Sequence, residues 1–232
     1  GSKYVGGLVG YNKGGITMSY SNGAISGTDY VGGLLGWNTG TITGSYATGT
    51  ITGWSCVGGL AGTNGECYLM SVFDGLLYCE PGTISNCYSA GRVDGDHDVG
   101  GLTGYNGGAV VHCYSSGTVN GRASIGGFLG DDGTTCDHWS EGVSGTVTNC
   151  LWDTEASGLT NMCGSQGDLP SFVGCSSGCD DGYGKTTAEM HSLSTYLDAG
   201  WDFIDETENG TDDIWWIDEG RDYPRLWWEP RN

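Results

Sequence analysis

The stretch "DGDHDVG" places carboxylates at Asp94, Asp96 and Asp98, alternate positions of a glycine-punctuated turn. Alternating carboxylates suit Ca2+, a hard cation that gathers roughly six to eight oxygens. The spacing departs from the EF-hand calcium loop, because Val99 stands where that loop needs glycine and Tyr105 where it needs glutamate. The three residues are therefore a candidate calcium site, set against a plain solvated turn. Calcium is the one cofactor the chain raises.

Ten cysteines offer a second kind of chemistry. Cys67 and Cys79 bracket an insertion and are expected to pair. Cys87, Cys113 and Cys150 share one position of the repeat described below, where the first two coils carry Ser19 and Ser45. Coils stacked about 4.8 Å apart would allow a disulfide within this column, or three stacked free thiols. Cys56, Cys136, Cys163, Cys175 and Cys179 have no partner assignable from spacing. "CSSGC" lacks the second pair that a zinc site needs. A high, even cysteine count points instead to disulfides and an oxidising compartment.

Four histidines, His97, His112, His138 and His191, stand outside any HExxH or triad context. Cys136 and His138 fall in a second insertion and read as parts of a pinned loop. No catalytic residue is assigned, and the chain is expected not to be an enzyme. The alternative is polysaccharide lyase or hydrolase chemistry, which eight Lys and Arg residues serve poorly on an acidic glycan. Trp37, Trp54, Tyr105 and Trp139 are candidates for stacking against sugar rings, the competing reading being that they pack over turns. Tyr20, Tyr46, Tyr88 and Tyr114 form a cleaner column and read as structural. Asn209 opens the glycosylation sequon "NGT".

The elements that position these groups follow from a repeat. "VGGL" begins at Val5, Val31, Val57 and Val99, and "IGGF" at Ile125, in steps of 26, 26, 42 and 26 residues. Fixed-period self-similarity of this size signals a solenoid. Four apolar columns emerge. Val5, Val31, Val57, Val99 and Ile125 form the first, and Leu8, Leu34, Leu60, Leu102 and Phe128 the second. Ile16, Ile42, Ile84, Val110 and Val147 make the third; Ile25, Ile51, Val93 and Val119 make the fourth. Asn12, Asn38, Asn64 and Asn106, with Asp132 in the fifth coil, form a column fit for a side-chain ladder. The reading is an all-β parallel β-solenoid of about five coils with a 26-residue period, roughly three strands per coil, and glycines bending the corners. One such coil cannot bury enough apolar surface alone; stacking supplies the rest.

Residues 1–151 are assigned to the solenoid, with insertions near 66–81 and 131–144. Residues 152–232 are assigned to a loop region and a small α+β, aromatic-rich C-terminal cap. Within the cap, Thr186 and Glu189 predict a capping box opening one short helix that Gly200 ends, and "WDFI", "IWWI" and "RLWW" predict strands.

"VGGLVGYNKGGITMSYSNGAISG" and "VGGLLGWNTGTITGSYATGTITG" resemble GLUG-motif repeats, and residues 1–151 follow the pattern apart from the two insertions. The segments "CLWDTEASG", "GKTTAEMHSLSTYLDAGWDF" and "IWWIDEGRDYPRLWW" resemble the tail that often closes such arrays. The resemblance implies a β-solenoid of the kind found in bacterial surface proteins, including adhesins and immunoglobulin A peptidases outside their protease domain.

A net charge of −20 repels phosphate backbones, so nucleic acid is excluded as a partner. No apolar run is long enough to insert in a membrane. The chain begins inside a repeat and reads as a mature form or fragment of an exported protein. These features lead to an extracellular or cell-surface structural module that presents loops for adhesion to a cell-surface or matrix protein or a glycan. A carbohydrate-binding or polysaccharide-processing module is the alternative. A head-to-tail filament, assembled through an uncapped N-terminal coil, is the second alternative.

Overall fold

Val5, Val31, Val57, Val99 and Ile125 lie one above another as register partners in a parallel sheet. In the computed structural model, which describes residues 2–69, 77–133, 145–165 and 179–231, the other three columns stack in the same way. Ile16, Ile42, Ile84, Val110 and Val147 are in register, as are Ile25, Ile51, Val93 and Val119. In the leucine column, each of Leu8, Leu34, Leu60 and Leu102 donates its N–H over 2.8 Å to the carbonyl of the residue one coil on. The chain is a parallel β-solenoid.

Each of the first four coils contributes five short strands to the stack where the sequence predicts three, and the fifth contributes four. The second coil uses Asp29–Gly32, Leu35–Asn38, Thr41–Thr43, Tyr46–Ala47 and Ile51–Thr52. Stacking them gives five parallel sheets of four to six strands. Within the second coil adjacent strands are separated by two or three residues of bent chain, so one apolar run yields two strands rather than one.

The corners also differ from expectation. Positive φ falls on Tyr4, Tyr30, Cys56, Asp98 and Ser124 in one column, and on Met18, Asn86, His112 and Asn149 in another, with glycine only at Gly44. Left-handed backbone strains such residues by on the order of 1 kcal/mol each, a cost that stacking of identical corners offsets. The glycines of "VGGL" serve contact instead. A side chain at Gly59 would collide with the carbonyl oxygen of Gly101 and with Ser89 in the neighbouring strand. Close backbone approach is the reason for Gly there.

Two apolar stacks fill the solenoid. The larger gathers Leu34, Ile42, Leu60, Ile84, Leu102, Val110 and Phe128; the smaller holds Val31, Ile51, Val57, Val93, Val99 and Val119. Trp152, Met162 and Cys163 join the larger stack beyond Phe128, and Cys163–Ser165 adds a sixth strand beside Leu129–Asp131.

The α+β segment caps the array, Gly184–Lys185 pairing beyond Leu151–Asp153, and it also runs along the flank of the coils. Its core of Met190, Tyr196, Trp201, Phe203, Trp215 and Leu226 packs on Tyr88, Tyr114 and Leu151. Trp228 Nε1 donates to Gly44 O at 3.1 Å and Trp201 Nε1 to Asn149 O at 2.8 Å, so the contact reaches back to the second coil. The capping box at Thr186 and Glu189 forms, but the helix it opens stops after Thr187–Met190. Extended Ser192 then precedes a second helix, Leu193–Leu197. Met190 and Tyr196, six residues apart, would sit about 120° apart around one continuous helix; the break lets both enter one core. Trp215–Trp216 and Arg225–Leu226 pair antiparallel. Asn209 donates from its side-chain amide to Leu197 O and Trp201 O, which ties the sequon into this unit.

Candidate functional site

The predicted calcium ligands do not converge. Asp94 is held by Arg92 at 2.6 and 2.8 Å and by Asn120 at 3.1 Å. Asp96 lies 3.2 Å from the Arg122 guanidinium and 2.7 Å from His97 Nδ1, and Asp98 accepts from Ser55 Oγ at 3.4 Å. Successive side chains of this turn face different neighbours, so each carboxylate finds its own partner. Among the described residues, ligand atoms close enough for one metal ion occur at Asp132, Cys163 and Cys179. There the two sulfurs form a disulfide spanning 16 residues, with Cα atoms 6.0 Å apart. Oxidised sulfur offers no thiolate, the form a metal binds.

For the cysteine column the structure takes the free-thiol alternative: Cys87, Cys113 and Cys150 are buried and unbridged. Each thiol donates to the carbonyl two residues before it, at 3.1, 3.2 and 3.3 Å. The backbone N–H groups of Cys87 and Cys113 donate to the sulfur one coil on, both at 3.4 Å. Ser19 and Ser45 likewise donate from their hydroxyls to the carbonyl two residues before, and the Ser19 N–H donates to Ser45 Oγ, so cysteine continues a serine ladder here. Burial pushes the Cys113 thiol well up, and burial also pushes Cys56 up to about 12; neither is a nucleophile near neutral pH. Cys79 is disulfide-bonded, and its register partner across the hairpin of Glu66–Leu69 and Leu77–Glu80 is Cys67.

The asparagine column forms a buried ladder. Asn12 donates to Asn38 at 2.8 Å, Asn38 to Asn64 at 2.9 Å and Asn64 to Asn106 at 2.8 Å. The oxygens of Asn12, Asn38 and Asn106 also accept the N–H two residues on, closing a turn at each of those rungs. Asp132 follows, fully buried, 3.4 Å from the Cys179 sulfur.

The expected sugar platform is not one surface. Trp37 is buried beneath Tyr4 and Tyr30, with ring centroids 5.3 and 4.7 Å away. Trp54 is exposed but sits at another corner, tilted against His97. Tyr105 is half-buried, two coils beyond Trp37 in the same register column. Trp139, Cys136 and His138, with most of the 131–144 insertion, and Cys175 lie outside the described residues. Of the other histidines, His112 touches Asn149 and Trp201, with its pKa lowered by burial, and His191 packs edge-on against Tyr223.

A different arrangement emerges where the flanking segment meets the tyrosine column. Tyr20, Tyr46, Tyr88 and Tyr114 stack face to face at 5.2, 4.8 and 4.9 Å. With the faces so used, edges and hydroxyls point outward. Tyr88 donates over 2.8 Å to Glu229 Oε2, whose partner oxygen accepts the Leu226 N–H at 2.8 Å. Tyr114 donates to Pro224 O at 2.6 Å, and Tyr223 to Asp153 at 2.6 Å. Asp153 fixes this end by capping the helix Thr154–Ser157 through two N–H bonds of 2.8 Å.

Between ladder and flank lies a cleft of about 240 Å3, walled by Tyr46, Thr48, Tyr88, Ser116, Arg225, Glu229 and their neighbours. Arg225 pairs with Asp222 at 2.7 Å. Burial, then the Glu229 charge, holds the Tyr46 phenol up at about 12, and burial raises Tyr88 further. Burial also raises the Glu229 carboxyl, opposed by the bonds from Leu226 and Tyr88. The tyrosines thus remain protonated donors beside an acceptor. No single column of the sequence contains this cleft; the available signal was the tyrosine column together with the acidic, aromatic "RDYPRLWWEP".

The GLUG motif model matches residues 27–52 and 95–120. These segments cover the second coil and the corresponding turn and strands of the fourth. No curated protein matches the chain by sequence. A crystal structure from Bacteroides ovatus, provisionally named as an immunoglobulin A1 protease, shares the fold with a TM-score of 0.56. The two are 22% identical over 91% of this chain and 68% of that one. This chain is a GLUG-motif-containing parallel β-solenoid.

Proposed function

We propose that the chain is an exported, non-catalytic structural module, a stiff repeat scaffold that presents adhesive surfaces at a cell surface or in a matrix. One observation carries this reading. The aliphatic columns and the buried asparagine ladder run in register from coil to coil, which makes the array a stiff support. Trp54, 55% exposed at a corner between the second and third coils, gives that support an apolar point of contact for a partner. The Cys163–Cys179 disulfide supports export, and among the described residues no helix is long and apolar enough to cross a membrane.

The test is solid-phase binding of the purified chain to matrix proteins and intact cells, beside Trp54→Ala. Binding that Trp54→Ala weakens supports the reading, and binding to nothing overturns it. Light scattering on the same samples addresses self-association. A head-to-tail filament is the less favoured assembly, because Trp152 and Met162 already cover part of the opposite end of the stack.

A second reading, carbohydrate binding, is favoured by the cleft beside the tyrosine ladder. It replaces the dispersed tryptophans with a set of hydroxyl, carboxylate and guanidinium groups in one place.

A further inference from the structure

We infer that this cleft is a binding site for one uncharged sugar residue, held by hydrogen bonds to its hydroxyls rather than by stacking on an aromatic face. The inference rests on the carbohydrate reading and deepens it.

Three features select the ligand. The first is size: about 240 Å3 falls below the roughly 300–1,000 Å3 of pockets that take drug-sized ligands, so one ring fits and an oligosaccharide lies outside. The second is the wall. Because Tyr46, Tyr88 and Tyr114 spend their ring faces on one another, the cleft receives ring edges and oxygens. Ser116 contributes a hydroxyl whose oxygen is shut off from solvent and has no hydrogen-bond partner. A buried hydroxyl left unpaired is unfavourable, and a ligand hydroxyl beside it satisfies both. The third is charge. Glu229 and Asp222 face one arginine, Arg225, in a chain of net charge −20. A uronic or sialic acid is repelled. A neutral polyol finds acceptors in Glu229 and Asp222, and donors in Arg225 and the Tyr46 hydroxyl, because Tyr88 and Tyr114 already donate within the protein.

Thr48 is exposed at the rim of the cleft, so Thr48→Trp closes the entrance without touching the core. Ser116→Ala removes the unpaired hydroxyl and leaves the ladder intact. The experiment is saturation-transfer NMR and tryptophan fluorescence on the full chain with glucose, galactose, mannose, N-acetylglucosamine, glucuronic acid and sialic acid at fixed ionic strength. Thermal melting of each variant accompanies it. The expected result is millimolar binding of at least one neutral sugar and neither acid. Ser116→Ala weakens that binding about tenfold and Thr48→Trp abolishes it, both with unchanged melting. Neutral-sugar binding that survives Thr48→Trp overturns this site while the carbohydrate reading stands. Equal binding of the acidic sugars overturns the charge selection. No sugar binding overturns both the site and that reading.

Discussion

Tyr20 and Tyr114 occupy the same repeat position, yet 53% of one is exposed and 1% of the other. Their local sequences, "SYSNG" and "CYSSG", differ little. What differs is the neighbourhood. Tyr114 is sandwiched by Tyr88 and Tyr223 at 4.9 and 6.1 Å and covered by Trp201 and Trp215. Tyr20 has Tyr46 on one side and Trp228 at 6.4 Å. In a repeat protein, a residue's contribution is set by how many coils and flanking groups adjoin it. The first coil and the inner coils are therefore one sequence pattern in two energetic states.

Substituting leucines in one column tests that contrast most strongly. Leu60→Ala, in a site with no exposure, is expected to cost about 2–5 kcal/mol. Leu8→Ala, already half exposed, is expected to cost less than about 1 kcal/mol. Urea titration of both variants checks the pair, and equal losses would break the distinction.

Next in size is the staple at the far end. Cys163→Ser with Cys179→Ser opens a 16-residue closure, and the expected loss is about 3 kcal/mol. The first coil, far along the stack from this staple, keeps its hydrogen-exchange rates in the double variant.

The asparagine ladder sharpens the comparison further. Asn64→Ala interrupts bonds to Asn38 and Asn106, leaving buried amide groups unpaired at about 1–3 kcal/mol. Asn12→Ala breaks a single inter-coil side-chain bond at the ladder's beginning and costs less. Melting temperatures are expected to fall in that order.

The smallest effect is in pH. The Glu229 carboxyl is raised above its ordinary 4.5, chiefly by burial. The folded state thus binds a proton that the unfolded state has already released, and stability declines as pH rises from about 4.5 through the raised value. In Glu229→Gln that part of the decline disappears. A wild-type melting curve flat across this interval, or an identical slope in the variant, would remove Glu229 as its cause.

Much of the stack was legible because 26-residue spacing reports stacking directly. The four aliphatic columns and the asparagine ladder required no knowledge of the corners. The corners themselves were misread. Tyr30, Cys56 and His112 adopt positive φ, and nothing in their chemistry announces it; the position in the repeat dictates it. Cys87, Cys113 and Cys150 looked as fit for a disulfide as for free thiols until the bonds to Ser85, Val111 and Thr148 carbonyls showed them replacing serine. The cleft was the hardest to foresee. It joins Thr48 and Ser116 to Arg225 and Glu229, more than a hundred residues away and outside the period. Only the docking of Trp215, Trp228 and Leu226 against the coils brings them together.

Residue-resolved amide hydrogen exchange tests the central claim most directly. Leu8, Leu34, Leu60 and Leu102 donate equal 2.8 Å bonds to the next coil, so bond length cannot separate them. The stacked-coil account predicts that Leu60 and Leu102 exchange only through global unfolding, while Leu8 exchanges orders of magnitude faster through opening of its coil. Equal protection at Leu8 and Leu102 would contradict it.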